Sequence, residues 1–155
     1  MKIILMRHGE AESSAPSDAE RRLTARGETE VLACINRACT IQGVAPAAAE
    51  QILASPFVRA QQTAALVQGV LTPPIPIETW AEITPSGSSE IVLDKIINSN
   101  VSELVIVTHQ PFISRFIFYL TGAETRMGTA SITSIRMDAM VVGCGEVEWI
   151  LHSEC

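Results

Sequence analysis

One local layout occurs three times in this chain and constrains its fold more than any other feature. A short apolar run ends in one or two polar residues, and a helix start follows. The copies are LMRHG at 5–9, ILASPFVR at 52–59 and VIVTHQPF at 105–112. Strand and helix signals alternate in this way through residue 120, which predicts an α/β fold: three layers, α/β/α, with a mostly parallel central sheet. ELVIVT at 103–108 is the strongest strand signal. Its unbroken apolar character is what a strand covered by helices on both faces requires. A chain of 155 residues fits one domain, taken as residues 1–155.

The remaining elements follow from caps and periodicity. Thr24 is placed to cap a helix whose apolar stripe is Val31, Leu32, Ile35 and Ala38, closed by Gly43 and Pro46. Ser55-Pro56 reads as a cap residue and then proline at the first helical position, with Ala60, Thr63, Ala64 and Val67 on one stripe to about residue 69. Pro73, Pro74 and Pro76 mark an extended edge segment with Ile75 and Ile77. A further helix runs over about 88–98. Pro111 opens the helix FISRFIFYL, which is apolar nearly all round and predicts burial. Residues 130–137 and 146–152 read as a closing antiparallel hairpin turning at Gly143-Cys144-Gly145.

In open parallel sheets ligands sit beyond the carboxyl ends of the strands. If the three strands of the repeated layout are neighbours, Arg7, His8, Arg59 and His109 converge at one rim. Two guanidinium forks and an imidazole around a dianion make a phosphate pocket, and a helix start adds backbone donors. A second histidine held against the phosphorus is a nucleophile if it stays neutral, and neighbouring arginines favour that by opposing a second positive charge. Gly9 reads as the residue that leaves room for the incoming ligand.

The formal charge of −6 argues against nucleic acid and anionic membranes as partners. It also means that an anionic substrate is drawn in by local cations. No apolar stretch reaches the length of a membrane span, and MKIILMRHGE lacks the pattern of a signal peptide, so the expected location is the cytoplasm. Cys34, Cys39, Cys144 and Cys155 have no metal-binding spacing and read as unpaired thiols. No cofactor is expected, metal or otherwise. There is no glycine-rich P-loop and no carboxylate cluster of the kind that holds Mg²⁺.

The ordered set RHGE, SPFVRAQQTA and VTHQP resembles the histidine phosphatase, or phosphoglycerate mutase-like, superfamily. With RRLTARG, AEITPSG and no large helical insertion, the chain is similar to the short bacterial SixA-type phosphohistidine phosphatases. That resemblance spans nearly the whole chain. It implies that His8 is the phosphorylated nucleophile, that Arg7, Arg59 and His109 hold the phosphate, and that Arg21 lies at the substrate rim. It implies as substrate a phosphohistidine-bearing protein domain, a phosphorelay or phosphotransferase-system component. The general acid departs from the superfamily pattern. Gln110 stands where one branch has Asp, and Glu82 is the carboxylate placed where others carry their acid, with a solvated loop charge as the alternative. An imidazole leaving group titrates near pH 6.5 and needs little acid help, so weak acid equipment favours a P–N bond over a phosphate ester. Two further readings stand beside this one: a small-molecule phosphomonoesterase of the same superfamily, and a non-catalytic phosphate-binding module.

Overall fold

A computed structural model of the chain describes residues 1–40 and 48–153. Its frame is a six-stranded sheet in the order β3-β2-β4-β1-β5-β6. The strands are β1 (Lys2–Arg7), β2 (Gln51–Ala54), β3 (Ile77–Thr79), β4 (Glu103–Thr108), β5 (Ile132–Met137) and β6 (Gly145–Leu151). The first four in chain order run parallel, and β5 and β6 add an antiparallel edge with a bulge between Ser134 and Ile135. β2, β4 and β1 are adjacent, so the three polar strand ends share one rim, as the repeated layout requires.

The continuous apolar runs are explained by two cores, one on each face. Ile4 and Met6 of β1 pack with Ile52, Val105 and Val107 under helices α1 (Ala25–Thr40) and α2 (Val58–Val70). Ile3 and Leu5 point the other way, with Leu53, Leu104 and Ile106, under α3 (Ser89–Asn98) and α4 (Phe112–Thr121). Successive strand residues alternate between faces, so both faces being buried demands an apolar residue at every position.

Helix boundaries match where a side chain caps the backbone and slip where it does not. The Gly27 N–H donates to Thr24 Oγ1 at 2.9 Å, and α1 begins at Ala25. Ser55-Pro56 does not open α2. Phe57 is the N-cap, without a side-chain bond, and the helix begins at Val58. α4 likewise begins at Phe112, and it is not buried all round. Phe118 is 53% exposed, whereas Phe112, Ile113, Phe116, Ile117 and Leu120 are buried. On α1, Leu32 turns outward and Cys34 takes its place in the stripe. Gly43, Pro46 and Cys155 lie outside the described residues. Among the described residues, no helix is long and apolar enough to cross a membrane, and Cys34, Cys39 and Cys144 form no disulfide.

Gly9 has a structural reason different from the expected one. A Cβ there would lie 2.7 Å from the Gly27 carbonyl oxygen and 2.8 Å from Val31 Cγ2. At Gly27 a Cβ would lie 2.1 Å from the Glu10 carbonyl oxygen. The missing side chain at Gly9 therefore admits α1, not a ligand. The glycine pair lets the first turn of that helix press on the residues just after His8.

Candidate active site

His8 follows β1 directly, and its backbone is pinned on both sides. Its N–H donates to the Thr108 carbonyl at 3.0 Å, and its own carbonyl accepts from the Ala130 N–H at 3.0 Å. The ring is fixed too. Nδ1 lies 2.7 Å from the Gly9 carbonyl oxygen, which can only accept, so Nδ1 carries the proton. Nε2 then holds the lone pair, and Arg59 Nε donates to it at 3.2 Å. Burial depresses the His8 pKa to about 4. The Gly9 carbonyl works in the opposite direction, and the charges of Arg59, Arg7 and Arg21 lower it further. The ring is therefore neutral at pH 7.

His109 follows β4, with its ring centroid 5.0 Å from that of His8 and 5.0 Å from that of Phe57. Its Nε2 lies 2.7 Å from Ser55 Oγ. That hydroxyl oxygen also accepts from the Phe57 N–H at 3.3 Å. The other ring nitrogen, Nδ1, is buried without a hydrogen-bond partner. Burial, reinforced by His8, Arg59 and Arg7 against the opposing charge of Asp18, lowers the His109 pKa to about 3.

The arginines close the cluster. Arg59, in the first turn of α2, is buried, with its guanidinium 5.1 Å over the Phe57 ring. Its Nη1 donates to the Asp18 carbonyl at 2.6 Å, and Nη2 to Asp18 Oδ2 at 3.2 Å. Arg7 donates from Nη1 to the Met127 carbonyl at 3.1 Å, while its Nε is buried without a partner. Arg21 sits at the edge. Its Nη1 meets Asp18 Oδ1 at 3.0 Å and its Nε donates to the Glu12 carbonyl at 2.6 Å. The sequence-predicted quartet Arg7, His8, Arg59 and His109 thus comes together, with Arg21 beside it. Two buried nitrogens in the quartet, Arg7 Nε and His109 Nδ1, have no hydrogen-bond partner; the Arg7 N–H is a donor left for an oxyanion, and His109 Nδ1 is another in the tautomer that carries its proton there.

Glu82 is paired with a lysine. Lys95 Nζ holds its Oε2 at 3.1 Å, and Lys95 in turn stands 4.4 Å over the Trp80 ring. Its own backbone N–H, and then Lys95, keep the Glu82 carboxyl below the usual carboxylate range. Gln110 donates to Ser114 Oγ and the Met127 carbonyl, at 2.7 and 3.1 Å.

Three participants escaped the sequence. Asp18 bridges Arg59 and Arg21; the acid three residues before Arg21 was its only signal. Ser55 was legible as a polar residue but read as a cap. The Met127 carbonyl has no side-chain signature.

A parallel sheet that carries two neutral imidazoles and two arginines to one rim defines a class of phosphate-handling α/β proteins, and the sequence places the chain within it. Residues 3–84 match the family model of the histidine phosphatase superfamily (branch 1), and the chain belongs to that superfamily. Within it, the chain is similar to phosphohistidine phosphatase SixA of Escherichia coli strain K12. The two are 31% identical over 156 residues, covering 96% of this chain and 92% of the relative. It is 33% identical over 136 residues to a SixA homolog of Haemophilus influenzae, covering 79% and 78%. A solved structure of the protein histidine phosphatase SixA complexed with tungstate has the same fold. Its TM-score is 0.87 at 30% identity, covering 99% of this chain and 97% of that one.

Proposed function

We propose that this protein removes the phosphoryl group from phosphohistidine on a partner protein through a covalent phospho-His8 intermediate. The carrying observation is the fixed tautomer of His8. Nδ1 is tied to the Gly9 carbonyl, and Nε2 presents a lone pair that the low pKa keeps unprotonated. The relatives named phosphohistidine phosphatase and the tungstate complex of a similar structure support the substrate class.

In the first step Arg59 Nε leaves the Nε2 lone pair for a phosphoryl oxygen, and Nε2 attacks phosphorus in line. The P–Nε2 bond forms as the P–N bond to the substrate imidazole breaks; that ring, protonated on its other nitrogen, takes the electron pair and leaves as neutral imidazole. Arg7, Arg59 and His109 donate to the equatorial oxygens; catalysis is positioning and electrostatics. In the second step water attacks phospho-His8 and passes a proton to a phosphoryl oxygen; phosphate departs and the Nε2 lone pair returns, with the Nδ1 N–H still donating to the Gly9 carbonyl. The departing imidazole is a weak base that needs little acid assistance, which suits a site where Glu82 is ionised and bound to Lys95. The composition and substrate class fit an enzyme of the cytoplasm.

The test uses a ³²P-phosphohistidine protein mixed rapidly with enzyme and quenched in alkali, where phosphohistidine survives. Wild type carries label at residue 8 and releases phosphate, and His8→Ala does neither. Phosphate release by His8→Ala at the wild-type rate refutes the mechanism, and release from aryl phosphate but not from phosphohistidine protein refutes the substrate class.

A further inference from the structure

A second cleft, of about 440 Å³, lies beside the quartet, lined by Arg126, Gly128, Ser131, His152 and Ser153. We propose that it is an anion subsite that takes a carboxylate of the substrate protein presented next to its phosphohistidine. The inference rests on the proposed function for its ligand and on the cleft for its chemistry.

The cleft shares a wall with the phosphate site. The Met127 carbonyl, next in sequence to Arg126, accepts from Arg7 Nη1 at 3.1 Å. The Ser131 carbonyl accepts from the Arg7 N–H at 3.0 Å, and the Ala130 N–H donates to the His8 carbonyl at 3.0 Å. Residues 126–131 are therefore bolted to the nucleophile strand on one side and line the cleft on the other. A group seated in the cleft lies next to whatever Arg7 holds.

Among the described residues the lining carries a guanidinium, an imidazole and two hydroxyls and no Asp or Glu, although the chain carries 17 acids against 11 Lys and Arg. Lys2, Arg21, Arg26, Arg59, Lys95 and Arg136 are each committed to ion pairs with acids. Arg126 is exposed and, like Arg7, Arg22, Arg37 and Arg115, enters none among the described residues; of these it is the one that lines the cleft. The His152 ring also lines the cleft, its Nδ1 2.9 Å from Ser131 Oγ, on a serine that is itself buried. In the tautomer that accepts from this hydroxyl, Nε2 carries the ring proton and is a second donor. A guanidinium fork matches a carboxylate in two parallel bonds. A second phosphate dianion so close to the first is disfavoured by repulsion, which singles out a side-chain carboxylate.

The experiment compares a phosphohistidine protein with phosphoramidate, a substrate too small to reach the cleft. Arg126→Ala lowers kcat/KM for the protein by about two- to five-fold, the range of an exposed charge pair. Arg126→Glu lowers it by about ten-fold or more, because attraction becomes repulsion. Arg126→Lys restores most of the loss. Phosphoramidate turnover is unchanged in all three. Equal losses on both substrates, or no loss on the protein, overturn the subsite. A second readout holds even if wild type ignores phosphohistidine proteins, a result that would refute the proposed function alone. Titration with a Glu-rich tripeptide shifts the backbone amide resonances of residues 126–131 and 152–153 in wild type and not in Arg126→Glu. Inorganic phosphate shifts those of residues 7–9 first. Absence of the peptide effect overturns the subsite.

Discussion

Keeping two histidines neutral inside the fold has a measurable consequence in acid. Both rings titrate near 6.5 in the unfolded chain and at about 4 and about 3 in the folded one, for His8 and His109 respectively. Above pH 6.5 each ring is neutral in both states and contributes no pH dependence. Below it the unfolded chain binds a proton on each ring and the folded chain does not. Stability therefore falls with pH until each folded pKa is reached. At about 1.4 kcal/mol per unit, lowering the pH from 7 to 5 costs about 2 kcal/mol per ring. The window is insensitive to the folded values as long as both lie well below 5. His8→Asn deletes one of the two titrations. The burial-raised Glu103 carboxyl pulls the opposite way, gaining stability as pH falls, and it is present in both proteins and cancels. Urea unfolding at pH 7 and pH 5 should show wild type losing about 2 kcal/mol more than His8→Asn, or about 1 M more in midpoint at an m-value of about 2 kcal/mol/M. An equal loss in the two proteins would mean that His8 titrates near its ordinary value, and the argument for a neutral nucleophile would fail.

The kcat/KM for a small P–N substrate should stay flat from pH 7 to pH 5 and fall near 4, since that ratio reports the free enzyme; an acid limb centred at 6.5 contradicts the buried, arginine-flanked ring. Asp18→Asn should strengthen inhibition by inorganic phosphate by about two- to five-fold, because Arg59 and Arg21 lose a competing carboxylate that is 58% exposed. Weaker inhibition would make Asp18 a positioning residue for Arg59 instead. Glu82→Gln should change phosphohistidine turnover by about two-fold or less; a drop of about 10²-fold or more would identify a general acid. Gly27→Ala should destabilise by about 1–3 kcal/mol, since its Cβ meets backbone, whereas Gly69→Ala, with nothing within 4 Å, should stabilise by up to about 1 kcal/mol in thermal unfolding.

The strands were legible because a parallel sheet buried on both faces leaves no room for alternation, so ELVIVT and KIILMR announce themselves. The quartet was legible because Arg7, His8 and His109 sit at or just beyond a strand end and Arg59 opens the helix that follows β2, and the adjacency of β2, β4 and β1 does the rest. What failed was local inference overruled by tertiary demand. Ser55 has the right residue type for a cap, but its hydroxyl serves His109, and α2 starts three residues later. Gly9 was read for a ligand and is needed for α1. Phe118 and Leu32 continue apolar patterns past the faces the sheet can cover. Asp18, for all its spacing to Arg21, and the Met127 carbonyl were not tied to the site, because the site residues they hold, Arg59 and Arg7, lie 41 and 120 residues away.

On the proposed mechanism the substrate and the intermediate are both phosphoimidazoles, and they differ in the basicity of the ring. An ordinary histidine titrates near 6.5, but His8 is held at about 4, which makes it the poorer nucleophile and the better leaving group. Transfer onto His8 is thus uphill in basicity by roughly 2.5 units and must be offset by the arginines and His109 gripping the phosphoryl oxygens. Transfer from His8 to water is correspondingly eased. The same mismatch eases return to the substrate imidazole, which is a stronger nucleophile than water, so net hydrolysis requires the dephosphorylated partner to leave before water attacks. The burial and the arginine charges that depress His8 therefore do two jobs at once: they keep the attacking nitrogen unprotonated, and they make phospho-His8 labile once the partner has gone.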